Sequence, residues 1–228
     1  LEALARLLRR ELEAEPRAEE FARRCLSSMR WGGSVVLMVV DAAITSAGLG
    51  YFTAVVPRVL RFKEELVDTG RVSSLESLAS ADDGLLLRYW ANRRSWSVAR
   101  GVAGALLRYG RDDRERLRSW ASSSRLEGWR SDPVGSVKGV GLITYQYLRM
   151  MGGVDTAMPD RVVRRYVASL ARGAGVDVPE GDAEFIGLLE ALRDSHGVSP
   201  VAVTWLSWLR LSEGDEALSR YRDLLELL

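Results

Sequence analysis

The sequence predicts an all-α protein, and three observations carry that prediction. Apolar residues recur at spacings of three and four among frequent Leu, Ala, Arg and Glu. Alternating β-branched runs bounded by tight hairpin turns are missing. Helix starts are also legible. Ser73-Ser74-Leu75-Glu76 reads as a Ser-x-x-Glu capping box, while Asp132-Pro133 and Ser199-Pro200 each put a capping residue before proline at the first helical position.

Taken in order, these signals predict helices over 2–14, 17–30, 34–47, 50–68, 74–80, 83–90, 93–109, 112–126, 133–137, 141–151, 161–173, 182–195 and 200–211, with a last one to the end. The first stretch, LEALARLLRRELEAE, is charged and amphipathic and has no signal-peptide pattern. The apolar run from Val35 stops at Asp41, short of the ~18 residues of a membrane span. No membrane partner is expected, and the location is expected to be cytoplasmic. With 228 residues, the chain can form one large domain or two small lobes. Glycine-rich joints at Gly152-Gly153 and over 173–181 are the best places for lobes to meet.

Composition narrows the chemistry. Cys25 stands alone, so a disulfide framework, a thiolate zinc site or an iron–sulfur cluster cannot be assembled within this chain. His196 is the single histidine, which removes the common metal and triad designs, and no metal site is expected. Both are read as structural residues. Of 32 basic residues only Lys63 and Lys138 are lysines, leaving two candidates for any Schiff base. The formal charge of +1 means that nucleic-acid binding would need arginines gathered on one side, with Arg93, Arg94, Arg161, Arg164 and Arg165 as candidates.

Only Lys138, Gly139 and Val140 separate the predicted helix 133–137 from the one beginning at Gly141, so the chain reverses tightly. Glycines at 139 and 141 permit positive φ and leave backbone amides bare at a helix N-terminus, which is an anion site by geometry and dipole. Lys138 adds a charge beside it. A DNA phosphate suits such a site, because that contact positions a duplex without reading its sequence. Taken alone, Gly-Val-Gly reads equally well as an unliganded connector.

The wider pattern is Val137, Gly139, Val140, Gly141 and Thr144, followed by an apolar helix and then Asp160 in MPDRVVRRY. It resembles the helix-hairpin-helix DNA glycosylase superfamily, over roughly residues 33–170. The resemblance implies two all-α lobes: a six-helix lobe over 31–151 ending in the hairpin at 137–141, and a second lobe made of 1–30 plus 152–228. It also implies a lesion-containing duplex as partner, action as a monomer, and no cofactor beyond a monovalent cation held by hairpin carbonyls. The location would then be cytoplasmic, with the chain on the nucleoid when bound.

Family placement puts a catalytic aspartate at the N-terminus of the helix after the hairpin. Asp155 and Asp160 compete for that role. Asp160 lies seventeen residues after Ile143, one short of the family's spacing, and Asp155 only twelve. Pro159 would also fall inside a helix capped by Asp155, so Asp160 is preferred. It is equally a plain N-cap, and the two roles are compatible. A carboxylate there would stabilise developing positive charge on the sugar and orient or deprotonate water. The bifunctional members carry an attacking lysine where this chain has Ile143, so hydrolysis without a lyase step is implied. Lack of the four-cysteine loop agrees with a cluster-free branch.

Base extrusion needs a pocket and a filler for the vacated stack. Tyr147 lies one turn after Ile143 and is a candidate cleft residue. Gln146 could bond a base edge or sit in solvent. Asp41 is either a second cleft carboxylate or a residue on an exposed helix edge. Leu49 and Tyr51, in Gly48-Leu49-Gly50-Tyr51, are wedge candidates. Trp90, Trp96, Tyr145, Trp205 and Trp208 are read mainly as core.

Overall fold

The computed structural model describes residues 1–211 and Ser219, and the helix expected beyond 211 lies outside the described residues. The protein is all-α, with twelve α-helices and no strand among the described residues. Helix α1 (Glu2–Glu13) buries the stripe Leu4, Leu8 and Leu12, while α2 (Pro16–Leu26) starts with proline at its first turn and buries Phe21 and Cys25. Almost every side chain of α3 (Val35–Thr45) is buried, as its apolar run requires. Residues 51–67 form one helical stretch. Wider π-type turns at Tyr51–Val55 and Lys63–Val67 flank α4 (Val56–Phe62).

Four helices follow, each opened by a polar cap: α5 (Leu75–Ala79) by Ser74, α6 (Asp83–Tyr89) by Asp82, α7 (Arg93–Leu106) by Asn92 and α8 (Asp113–Ser123) by Asp112. After the hairpin come α9 (Leu142–Met151), α10 (Arg161–Ala174), α11 (Asp182–His196) and α12 (Pro200–Leu211). Helices α10 and α11 both stop at a left-handed glycine, Gly175 and Gly197.

Helix α12 packs on α1, α2, α10 and α11, whereas α3 packs on α4, α5, α7, α8 and α9. The packing of α2 on α9 links the two sets, and the buried apolar side chains form one continuous core.

Three local expectations are corrected. The capping box closes one residue later than expected, between Ser74 and Ser77, and Glu76 instead pairs with Arg116 at 2.5 Å. Residues 133–137 form a turn rather than a helix. Asp132 accepts from the Val134 amide (2.8 Å), but the Val137 amide already turns back to Val134, and Gly135 presses on the Trp129 backbone where a Cβ would have no room. The helix expected over 17–30 ends at Leu26. Ser28 and Trp31 then take left-handed φ of 54° in a strained turn that sends Arg30 into the interior.

Candidate functional site

Segments far apart in sequence border one cleft of about 650 Å³: the 45–51 loop, the hairpin at 139–144, the start of α10 and the end of α12. Arg94, at the start of α7, closes one side. Of the five large apolar side chains that stand exposed among the described residues, Leu49 (37%), Ile143 (39%) and Leu211 (36%) all border it. Three exposed apolar side chains thus gather at one opening.

The hairpin uses its two glycines differently. Gly139 holds a left-handed φ of 96°, and a Cβ there would lie 2.9 Å from Val98 Cγ2. Gly141 is extended, with φ −105°, and a Cβ would meet nothing within 4 Å. The expectation of positive φ therefore holds at 139 only. Gly141 opens α9 with no side-chain cap, so the first amides of the helix lack a side-chain acceptor and the backbone there is open. Val137 and Val140 are half-buried and pack on the core, Lys138 is exposed, and Thr144 is buried on the cleft wall.

These glycines yield opposite expectations. Gly139→Ala should cost about 1–2 kcal/mol or more in urea unfolding, from strain and the Val98 clash. Gly141→Ala should leave stability within about 0.5 kcal/mol, since lower unfolded-state entropy offsets a poorer cap. If the hairpin holds a duplex phosphate, the added methyl would obstruct its approach and weaken duplex affinity roughly tenfold. Equal affinity of Gly141→Ala and wild type in a fluorescence-anisotropy titration would remove the hairpin from the interface.

Asp160 caps α10. Its Oδ1 accepts from the amides of Val162 (2.7 Å) and Val163 (3.0 Å), and its Oδ2 accepts from Trp208 Nε1 (2.9 Å). Burial raises its pKa above the ordinary aspartate value, against the lowering effect of those three donors. Arg94, Arg161 and Arg165 border the same cleft, are exposed, and make no ion pair with a described acidic residue. Arg93 and Arg164 do not join them: Arg93 pairs with Asp83 (3.2 Å) and Arg164 with Asp182 (2.7 Å).

Other predicted site residues lie beneath the cleft or away from it. Asp41 is fully buried, which overturns the exposed-edge alternative. Its Oδ2 accepts from Trp31 Nε1 (2.8 Å), Tyr51 Oη (2.9 Å), Tyr147 Oη (3.0 Å) and Arg30 Nη2 (3.2 Å), and Thr45 Oγ1 donates to Oδ1 (3.2 Å). Tyr147 is thus committed to the interior and does not border the cleft. Tyr51 borders it from below, with its hydroxyl tied to Asp41, so it is no wedge; Leu49 keeps an exposed tip. Burial pushes the Tyr51 and Tyr147 hydroxyls well above the usual phenol range.

Gln146 is neither in solvent nor in the cleft. Its Nε2 donates to Thr156 Oγ1 (2.8 Å) and the Ala157 carbonyl (3.0 Å), while Oε1 accepts from Arg149 (2.7 Å). Asp155 accepts from Ser199 Oγ (2.8 Å) and the Val201 amide (3.1 Å) at the start of α12, away from the cleft. No group of acidic, histidine or cysteine side chains with metal-holding geometry occurs among the described residues.

Arg30, which sequence reading missed, is the charge partner of Asp41. Burial works to lower its pKa, but Tyr147, Tyr51, Cys25 and Asp41 together hold it above the ordinary arginine value. Its Nε and Nη1 find no oxygen acceptor among the described residues, and its guanidinium carbon lies 4.3 Å from the Trp205 ring centroid. A carboxylate inside an apolar helix signals that a cation must exist, but not which of thirty arginines supplies it. No family model matches this chain, and no match is found among curated proteins or solved structures.

Proposed function

We propose that the chain is a monofunctional DNA glycosylase of helix-hairpin-helix type, hydrolysing the N-glycosidic bond of a damaged or mismatched base flipped out of duplex DNA. One observation carries this reading: the open backbone at Gly141, the half-buried carboxylate of Asp160 and three exposed arginines without an ion pair to a described acidic residue all border one cleft. The hairpin and arginines would hold backbone phosphates, and Leu49 would enter the vacated stack. Asp160 would face the sugar carbon, offsetting its developing positive charge and orienting water. No lysine borders the cleft among the described residues, consistent with hydrolysis without a Schiff base. The two packing sets of helices support a division into lobes of 31–151 and 1–30 plus 152–228, acting as a monomer on duplex DNA in the cytoplasm, where it would join the nucleoid.

A second reading, a catalytically silent hairpin protein that binds DNA or scaffolds repair, rests on a specific feature. Both oxygens of Asp160 are engaged, as in an ordinary cap. Single-turnover base release on a panel of lesion duplexes, with hot alkali to reveal abasic sites, separates the two. Alkali-dependent nicks at one lesion support the glycosylase. Salt-dependent binding without release from any lesion supports the silent protein.

Either reading predicts a salt signature. Replacing Arg94, Arg161 and Arg165 together by alanine should reduce the slope of log affinity against log salt by about 0.9 for each phosphate no longer neutralised, hence about 2.7 in all. An unchanged slope would place the DNA elsewhere.

A further inference from the structure

We infer that Trp208 is a positioning residue for Asp160: its indole N–H fixes the carboxylate in the cleft and favours its ionised form. This rests on the glycosylase reading for its purpose, though the geometry can be tested without it. The Oδ1 atom is held by two amides of its own helix, but Oδ2 has only the Trp208 donor at 2.9 Å among the described residues. That oxygen would otherwise stand in a cleft walled by Leu142, Met158 and Val162, where desolvation disfavours charge.

Trp208 is itself held from below. Its ring lies 4.9 Å from that of Tyr51, 5.5 Å from Trp205 and 6.0 Å from Tyr147. The two tyrosine hydroxyls are anchored on Asp41 at 2.9 and 3.0 Å. The buried Arg30–Asp41 pair thereby acquires a role, because it fixes the rings on which Trp208 rests. Tertiary packing, rather than α10 alone, then sets the carboxylate's direction.

Among the described residues, the charged and titratable groups sharing the cleft with Asp160 are Arg161 and Arg165 on α10, Arg94 on α7, Asp182 at the start of α11, and Tyr51 below. None contributes appreciably to the Asp160 shift, in which burial and the three hydrogen-bond donors act. Loss of the indole donor should therefore register in the titration of this carboxyl.

The test compares wild type with Trp208→Phe, and with a protein carrying a benzothiophene ring in place of the Trp208 indole. Each removes the donor, and the second keeps the bicyclic shape if phenylalanine disturbs the fold. The Asp160 carboxyl is titrated by carbon-13 NMR without ligand, and affinity is measured for a duplex with a tetrahydrofuran abasic analogue. The expected result is an Asp160 titration midpoint raised above wild type in both variants, with affinity within about twofold. On any lesion that wild type processes, base release should fall about tenfold or more at neutral pH and recover in part as pH rises. An unmoved Asp160 midpoint in the folded benzothiophene protein would overturn the inference. Failure of wild type to release any base would instead overturn the glycosylase reading and leave the NMR result standing.

Discussion

On the proposed glycosylase reading, Asp160→Asn should sharply reduce base release while leaving duplex binding almost unchanged. A positioned general base contributes roughly 10²–10⁴ in rate, and a loss of that order is expected in single turnover. Asparagine still accepts the Val162 and Val163 amides through its carbonyl oxygen, so the cap of α10 persists and affinity should stay within about twofold. Wild-type release should also fall towards acid pH, with a midpoint above the ordinary aspartate value, because burial disfavours the ionised form. The same shift has a sign in stability. A carboxyl whose folded pKa is raised favours the folded state at low pH, and that contribution is lost as pH rises through the folded pKa. At neutral pH the ionised Asp160 is thus held at some cost to stability. If Asp160→Asn released base at the wild-type rate, the carboxylate would be a cap only.

Asp41→Ala should destabilise the fold by about 3–5 kcal/mol. The mutation leaves the fully buried Arg30 without a counterion and strips Trp31, Tyr51 and Tyr147 of their shared acceptor. Domains are commonly stable by only about 5–15 kcal/mol, so urea unfolding monitored by circular dichroism should show a large shift in midpoint. Replacing both members, Arg30→Met with Asp41→Ala, should recover part of the loss, because it removes the stranded charge. A single-mutant stability within about 0.5 kcal/mol of wild type would show that the pair contributes nothing net.

What was legible in the sequence follows from the range of the forces involved. The helix expected over 161–173 is observed at Arg161–Ala174, because Asp160 and Gly175 punctuate it locally. Gly139 was legible for the same reason, since a tight reversal needs a left-handed residue. The turn at 133–137 was misread because Asp132-Pro133 is a sound helix start. The close approach of Gly135 to the Trp129 backbone and the early return of Val137 stop the helix, and neither is visible in the Asp-Pro start itself. Gln146 and Tyr147 were misplaced because both faces of α9 are buried, and a polar residue facing a second layer looks like one facing solvent. Asp41 in its apolar run signals that a partner exists but not that it is Arg30, and the pairing of Trp208 with Asp160 leaves no local trace.

The chain order of these pairings bears on the protein's synthesis. The hairpin and Asp160 leave the ribosome well before Trp208, which lies 48 residues downstream of the carboxylate that it holds. The floor beneath them awaits Tyr147, 106 residues after Asp41. A nascent chain ending before α12 would have the glycine hairpin and Asp160 but not the indole that donates to the carboxylate. Completion of the cleft therefore awaits synthesis of α12, and a product terminated before that helix would lack the Trp208 donor to Asp160.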